Sequence, residues 1–155
     1  MAHSIHVGFL SVNDYAARMI DAILEKDIIS QKNLFISDTN PEHITEYNKH
    51  GVNVLKDDAS VLMKSEIVVI AAPKREFGTV LAPINALTRG KIIVSMTEGI
   101  DCNYVLERVA HGTLVATAMP TVGDNGCRIA NIQYSVGFPE YMKAACRDIV
   151  GSVCK

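Results

Sequence analysis

The chain has 155 residues, 48% hydrophobic and 21% charged, which is the usual composition of one globular domain. A net charge of −2 without any basic run excludes an electrostatic surface for nucleic acid. Residues 67–73 form the longest apolar stretch, which is too short to cross a bilayer, and the N-terminus lacks the features of a signal peptide. We therefore expect no nucleic-acid or membrane partner and a cytoplasmic location.

Short β-rich runs alternate with amphipathic helical runs through the first half of the chain. Apolar residues three and four positions apart predict a helix over 14–25. Asn40 followed by Pro41 predicts another helix start, and Gly51 predicts its end near His50. We expect strands over 5–10, 33–37, 52–55 and 66–72, and helices over 14–25, 41–50 and, capped by Asp57 or Asp58, up to Lys64.

The second half continues this alternation. We expect strands over 91–96, 113–119 and 131–136, and helices over 75–88, 101–110 and 139–153. The run 66–72 is apolar throughout, which predicts a central strand buried on both faces. Alternating strands and helices with right-handed crossovers predict an α/β fold, a doubly wound and mostly parallel sheet of the Rossmann type, in a single domain over residues 1–155.

The cysteines and histidines form no recognisable ligand pattern. The four cysteines lie far apart, without a C-x-x-C pair, which predicts reduced thiols. The five histidines are scattered, so we expect no metal site. The cysteines are Cys102, Cys127, Cys146 and Cys154.

A ligand of such a sheet binds at the carboxyl ends of the strands, where the strand order reverses. The first turn there is predicted to contain the candidate binding residues Leu10, Ser11, Val12, Asn13 and Asp14. A dinucleotide turn normally has glycines where this chain has Ser11 and Asn13. The helix N-terminus favours an anion, although the carboxylate of Asp14 competes for the same amides. A plain strand–helix connection without a ligand remains the alternative.

Asp38 follows the second predicted strand, where an acid accepts hydrogen bonds from the ribose hydroxyls of NAD. Thr39 comes next, so no basic residue follows at once to receive a 2′-phosphate. Both positions are therefore candidate cofactor-binding residues. An exposed acid that only begins the turn is the alternative.

The turn after the fourth predicted strand contains the candidates Ala71, Ala72, Pro73 and Lys74. Small alanines leave room for a ligand against the strand end. Lys74, with Arg75 beside it, places positive charge where a phosphate would lie. Solvated charge at a helix start is the slightly favoured alternative. None of these turns identifies a catalytic residue.

The order of these segments resembles the N-terminal domain of pyrroline-5-carboxylate reductases through nearly the whole chain. The matching segments are GFL at 8–10, ISDTNPE at 36–42, GVNV at 51–54, VVIAAPKREFGTVLAPI at 68–84, GKIIVSMTEGI at 90–100 and Met119-Pro120. The resemblance implies a Rossmann-type domain for NAD or NADP, in an oxidoreductase that reduces a cyclic imine during proline biosynthesis.

Departures from the family pattern bear on activity. The family's GFIGAGNMA is GFLSVNDYA here, so we expect weak or absent dinucleotide binding, with Asp38 and Thr39 favouring NAD(H) over NADP(H). The family's MPNTPALVGEG corresponds to a shortened stretch over 119–126, in which we expect a loop over 120–126, and Lys155 precedes the family's C-terminal helical domain. We therefore expect this chain alone to be weak or inactive as a reductase.

Two classes of function stay open. One is the NAD(P)-binding domain of an oxidoreductase, and the other is a non-catalytic relative that binds a nucleotide, another small molecule or a protein. The predicted helix 139–153 is a candidate surface for a homodimer or a protein partner. The alternative is a monomer whose own core uses this helix. Its apolar residues are Tyr141, Met142, Ala145, Ile149 and Val153.

Overall fold

A computed structural model of the chain describes residues 3–10, 12, 14–37, 41–123 and 126–153, with only the backbone described at residues 14, 119–123 and 126–131. Seven strands form one sheet in the order β3-β2-β1-β4-β5-β6-β7. The strands are β1 (Val7–Leu10), β2 (Leu34–Ser37), β3 (Asn53–Leu55), β4 (Ile67–Ile70), β5 (Ile92–Ser95), β6 (Leu114–Gly123) and β7 (Gly126–Tyr134). All neighbours run parallel except β6 and β7, which confirms the predicted doubly wound, mostly parallel α/β sheet.

Helices cross between the strands on both faces of the sheet. The α-helices are α1 (Asp14–Glu25), α2 (Pro41–Lys49), α3 (Asp58–Lys64), α4 (Lys74–Leu81), α5 (Cys102–Leu106) and α6 (Glu140–Val150). Two of them begin at capping carboxylates, because Asp57 accepts from the amide of Ser60 and Asp101 accepts from the amide of Tyr104, each at 2.8 Å. Among the described residues, no helix is long and apolar enough to cross a membrane.

The central strand β4 contributes side chains to both halves of the core. Ile67 and Val69 belong to the cluster that contains the buried faces of α1 and α6. Val68 and Ile70 belong to the opposite cluster, together with Phe77 of α4. Because successive side chains of a strand point to opposite faces, an apolar run of this kind stays buried only when both faces are covered.

Gly8 allows α3 to pack closely on β1. A Cβ atom at Gly8 would lie 2.3 Å from Oγ of Ser65 and 2.5 Å from Cγ1 of Val61. No side chain fits in that space without moving the helix or the strand. The glycine therefore determines how near α3 lies to the middle of the sheet.

Three helices end several residues before the residue that the sequence predicts, and the one predicted over 139–153 ends at Val150. The helix predicted over 75–88 ends at Leu81 and continues as a 3₁₀ helix over Ala82–Leu87, because Pro83 has no N–H for the α-helical hydrogen bond. The helix predicted over 101–110 ends at Leu106. Four residues later, the amide of Ala110 donates to the hydroxyl of the buried Thr88 at 2.9 Å and not to a carbonyl of the preceding helical turn.

The prediction of a loop over 120–126 is wrong. Strand β6 continues through this segment to Gly123 and pairs with β7 as an antiparallel hairpin, from Pro120 opposite Ile129 to Gly123 opposite Gly126. The pairing shifts register between residues 118 and 120. A proline cannot donate a ladder hydrogen bond and is found in strands mainly at such irregularities and at edges.

Helix α6 does not present the apolar surface that the sequence suggests. Met142, Ala145 and Ile149 are buried in the core of the same domain, and Val153 packs against that core. Tyr141 alone of these five apolar residues remains largely exposed, at 80%. The chain's own sheet therefore uses this helix face, and no interface follows from it.

Candidate functional site

The strand order reverses at β1, which lies between β2 and β4. Beside this point, at the carboxyl ends of β4 and β5, lies an open cleft of about 590 Å³. This is where doubly wound sheets bind their ligands, because the loops on either side of the reversal separate there. We call it the β4–β5 cleft; it is lined by Tyr15, Ala71, Ala72, Pro73, Lys74, Met96, Thr97 and Glu98.

A short connection from β4 to α4 forms one wall of the cleft. Ala71 and Ala72 follow the strand directly, and Ala72 is almost wholly buried. Pro73 occupies the N-cap position of α4, and its carbonyl accepts from the amide of Glu76 at 2.9 Å. With only methyl side chains next to the strand end, this wall lets a flat ligand approach the backbone.

The opposite wall is hydrogen-bonded to the first. The hydroxyl of Thr97 donates to the carbonyl of Ala72 at 2.6 Å, and the amide of Met96 donates to the carbonyl of Ile70 at 3.0 Å. The amide of Thr97 also donates to Oγ of Ser95 at 3.3 Å. These bonds hold the two strand exits at a fixed separation, so the floor of the cleft is preorganised.

Positive charge without an acidic partner lies at the mouth of the cleft. Lys74 and Arg75 occupy the first turn of α4, where the helix dipole is also positive. Lys74 lies against Gly99, whose φ of +81° suits glycine and at which a Cβ would lie 3.3 Å from Cδ of the lysine. Neither cation forms an ion pair with a described residue. Glu76 in the same turn and Glu98 in the cleft lining balance the formal charge, so the site offers an anionic ligand group an unpaired lysine ammonium rather than a net positive charge.

Tyr15 borders the cleft from the first turn of α1. Its hydroxyl is buried and has no hydrogen-bond partner among the described residues. The guanidinium of Arg18 lies 5.5 Å from the centre of the tyrosine ring. Burial raises the pKa of the Tyr15 hydroxyl above its ordinary value, and the nearby Arg18 only partly opposes this. The hydroxyl therefore keeps its proton and remains a donor.

A carboxylate lies at the end of β2, on the other side of β1. The hydroxyl of Ser37, the last residue of β2, donates to Oδ1 of Asp58 at the start of α3. The sequence marks Asp58 only as a candidate helix cap, a role that Asp57 takes instead. The parallel pairing of β2 with β3 brings the start of α3 to this place.

The predicted binding residues divide into three groups. Ala71, Ala72, Pro73 and Lys74 line the cleft. Leu10 is buried in the core and Val12 packs against it, while Asp14 begins α1. Ser11, Asn13, Asp38 and Thr39 lie outside the described residues.

Sequence reasoning missed half of the cleft lining, namely Tyr15, Met96, Thr97 and Glu98. The strand-end rule also selects the turn over 96–101, which contains the last three, although its sequence names no binding residue among them. In the part of the chain that is described, no three His, Cys, Asp or Glu side chains form a metal-binding cluster. The free thiols described are those of Cys102 and Cys146.

A sequence profile described as "NADP oxidoreductase coenzyme F420-dependent" matches residues 6–99. A pyrroline-5-carboxylate reductase of Methanosarcina acetivorans is 24% identical over 145 residues, which cover 90% of this chain and 53% of that protein. The chain thus spans about half the length of this curated relative.

Two solved structures show the same fold. A pyrroline carboxylate reductase of Plasmodium falciparum with NADP bound superposes with a TM-score of 0.81 at 18% identity, covering 99% of this chain and 56% of that one. An imine reductase variant of Myxococcus stipitatus in complex with NAD+ superposes with a TM-score of 0.68 at 16% identity, covering 95% and 52%.

Proposed function

The chain belongs to the NADP oxidoreductase coenzyme F420-dependent family, and from this premise we propose that residues 1–155 are the NAD(P)-binding domain of an oxidoreductase that reduces a cyclic imine. The pyrroline-5-carboxylate reductase relatives supply the imine part of this proposal. The observation that carries the cofactor part is the position of the β4–β5 cleft, immediately beside the reversal of strand order.

The described residues fit a dinucleotide in shape and in charge. Ala71 and Ala72 leave the strand end accessible, and Lys74 offers an unpaired cation to a phosphate or ribose. The orphaned hydroxyl of Tyr15 requires a polar partner that the described protein does not supply. Tyr15, Ala72 and Lys74 all line the same cleft, as does Ala71.

A bound nicotinamide cofactor would supply the hydride. The chain's own residues would bind and orient that cofactor. Met96, which is 6% exposed, offers an apolar surface, and the Thr97–Ala72 hydrogen bond joins the two walls. We assign no catalytic residue, because none of the lining side chains forms an acid–base pair with a described neighbour.

We further propose that NAD(H) is preferred to NADP(H). The ribose of the adenosine half would lie at the end of β2, where Asp38 follows in the sequence and Asp58 is held by Ser37. A carboxylate accepts hydrogen bonds from a ribose diol, whereas it repels a 2′-phosphate. The preference is supported by Asp38, which follows β2 in the sequence, and by Asp58, which accepts a hydrogen bond from Ser37.

Binding by this polypeptide alone is proposed to be weak, and its turnover weak or absent. Ser11 and Asn13 stand where close approach to a pyrophosphate normally needs glycine. Lys74 and Glu98 are both exposed at the cleft, which is therefore open to water on that side. Hydride transfer requires a water-poor site, which a second copy or another protein partner would complete.

The second candidate is a non-catalytic relative that uses the same cleft to bind a nucleotide or another small molecule. The observation that favours it is this open side of the cleft, together with the absence of an acid–base pair among its lining residues. It differs from the first proposal in requiring no imine chemistry.

Calorimetric titration with NADH and NADPH tests the proposal directly. Ala71→Phe would fill the cleft, and we expect it to weaken NADH binding at least tenfold, about 1.4 kcal/mol. Val136→Phe is the matched control, because Val136 is fully exposed and lies outside the cleft. If the wild type binds neither dinucleotide at millimolar concentration, the proposal fails. If it binds but does not oxidise NADH with a cyclic imine, the second candidate is favoured.

A further inference from the structure

Two buried hydroxyl groups have no hydrogen-bond partner among the described residues, Tyr15 and Ser152. Buried polar side chains are nearly always paired, so each exception requires an explanation. Tyr15 lines the β4–β5 cleft, whereas Ser152 lines a separate polar pocket near the end of α6. The position of Tyr15 therefore distinguishes it from a simple packing defect.

The ring of Tyr15 is held in place by its surroundings. Tyr15 packs against the core cluster beneath α1, and Arg18 lies over its ring one helical turn later. These two contacts restrict the rotation of the partly buried side chain. Its hydroxyl is thus preorganised for a group that occupies the cleft.

The polar groups that line the cleft give the Tyr15 hydroxyl no hydrogen bond in this structure. The hydroxyl of Thr97 is bonded to Ala72, and Pro73 has no N–H. Lys74 can only donate. The Thr97 hydroxyl and the Glu98 carboxylate also line the cleft and carry lone pairs, yet neither is bonded to this phenol, which leaves the Tyr15 hydroxyl available to an acceptor on the ligand.

We propose that the Tyr15 hydroxyl donates a hydrogen bond to an oxygen of the nicotinamide nucleoside half of the bound dinucleotide. This rests on the proposed function. The cleft lies on the β4–β5 side of β1, while the carboxylate of Asp58 marks the end of β2 on the other side. The adenosine half is therefore assigned to β2 and the nicotinamide half to Tyr15. The residue acts in binding and positioning, and no proton transfer is assigned to it.

The raised pKa of Tyr15 agrees with this role, since a neutral phenol donates a hydrogen bond over the whole physiological pH range. Tyr15→Phe removes only the hydroxyl, and because that group has no partner in the described protein, the variant loses no internal hydrogen bond there. We expect its melting temperature without ligand to equal or exceed that of the wild type.

The test compares NADH, which has the nicotinamide nucleoside, with ADP, which lacks it. Tyr15→Phe is expected to raise the Kd for NADH about fivefold to tenfold and to leave the Kd for ADP unchanged. Ser152→Ala is the matched control, because it removes the other orphaned hydroxyl outside the cleft and should alter neither Kd. In wild-type protein labelled with 13Cζ-tyrosine, the Tyr15 resonance is expected to shift with NADH and not with ADP.

An unchanged Kd for NADH in Tyr15→Phe, while the wild type binds NADH, would overturn this inference and leave the proposed function standing. Equal weakening of NADH and ADP would overturn the assignment to the nicotinamide half. Absence of NADH binding by the wild type would overturn both proposals. A Tyr15 resonance that does not respond to saturating NADH would likewise overturn the inference, without the need for any variant.

Discussion

The hydroxyl of Thr97 donates a 2.6 Å hydrogen bond to the carbonyl oxygen of Ala72, which joins the segment after β5 to the segment after β4. Both residues are buried, at 7% and 3% exposure. They are 25 positions apart in the chain, and only the parallel pairing of β4 with β5 brings them together. This bond connects the two walls of the candidate site.

Thr97→Val keeps the shape of the side chain and leaves the Ala72 carbonyl without this partner. We expect a loss of about 1–3 kcal/mol in the free energy of unfolding, because a buried acceptor becomes unpaired. Urea denaturation measures the loss. Thr45→Val is the control, since Thr45 makes an exposed bond to the carbonyl of Pro41. Equal losses in the two variants would contradict the structural importance of the Thr97 bond.

Replacing a glycine with alanine is predicted to have opposite effects on stability at Gly8 in β1 and at Gly78 in α4. Gly8→Ala should destabilise the fold by about 1–3 kcal/mol, because its Cβ would overlap Ser65 and Val61. Gly78→Ala should stabilise it by up to about 1 kcal/mol, since that glycine lies inside α4 with no described side-chain or strand atom closer than 3.9 Å to the added Cβ. Thermal or urea unfolding of both variants checks the signs. A Gly8→Ala protein of wild-type stability would show that α3 can shift without cost.

The buried Cys146 predicts a pH dependence of stability in the alkaline range. Burial raises the pKa of this thiol to about 12. In the unfolded chain the thiol has a pKa of about 8.5. Between about pH 8.5 and about pH 12 the unfolded state therefore binds fewer protons than the folded state. The stability contributed by keeping Cys146 neutral is therefore complete below about pH 8.5 and is lost as pH rises.

We expect the stability advantage of the wild type over Cys146→Ala to fall by about 1–2 kcal/mol between about pH 8 and about pH 10. Urea unfolding of the two proteins at both pH values gives the difference, and other titrating groups cancel in it. An advantage that stays constant or grows with pH would show that the Cys146 thiol is not the group responsible.

We predict that glycines in the segment between β1 and α1 improve dinucleotide binding. Ser11→Gly combined with Asn13→Gly restores the residue type that lets a backbone approach a pyrophosphate closely. We expect at least tenfold tighter binding of NADH, about 1.4 kcal/mol, measured by calorimetry. Circular dichroism controls for the fold. Equal or weaker binding in a folded double variant would mean that the turn is not the obstacle.

We predict the preference between NADH and NADPH from Asp38, which follows β2 in the sequence, and Asp58, which is bonded to Ser37. Wild-type protein is expected to bind NADH more tightly than NADPH, and Asp38→Asn combined with Asp58→Asn should reduce that difference by removing the repulsion of a 2′-phosphate. Competition titrations with the two reduced cofactors measure the ratio. Tenfold tighter binding of NADPH by the wild type would require about 1.4 kcal/mol in the opposite direction and would contradict the prediction.

Local chemistry explains why most elements follow from the sequence. The bounds of α1 agree with the periodic run 14–25, and α3 begins after the cap Asp57. Gly51, two residues after the end of α2, takes a φ of +81°, as a helix-ending glycine does. Each of these features depends on residues within about four positions of one another, which is the range of helical hydrogen bonds and caps.

The alternation of strands and helices by itself also determined the fold class, because right-handed crossovers leave few ways to arrange such a chain. What only the tertiary structure decided is which strand ends lie side by side. Tyr15 and Thr97 line the same cleft because β4 pairs with β1. Ser37 donates a hydrogen bond to Asp58 because β3 pairs with β2. The length of the β6–β7 hairpin and the burial of α6 depend likewise on contacts between distant segments, which no local periodicity encodes.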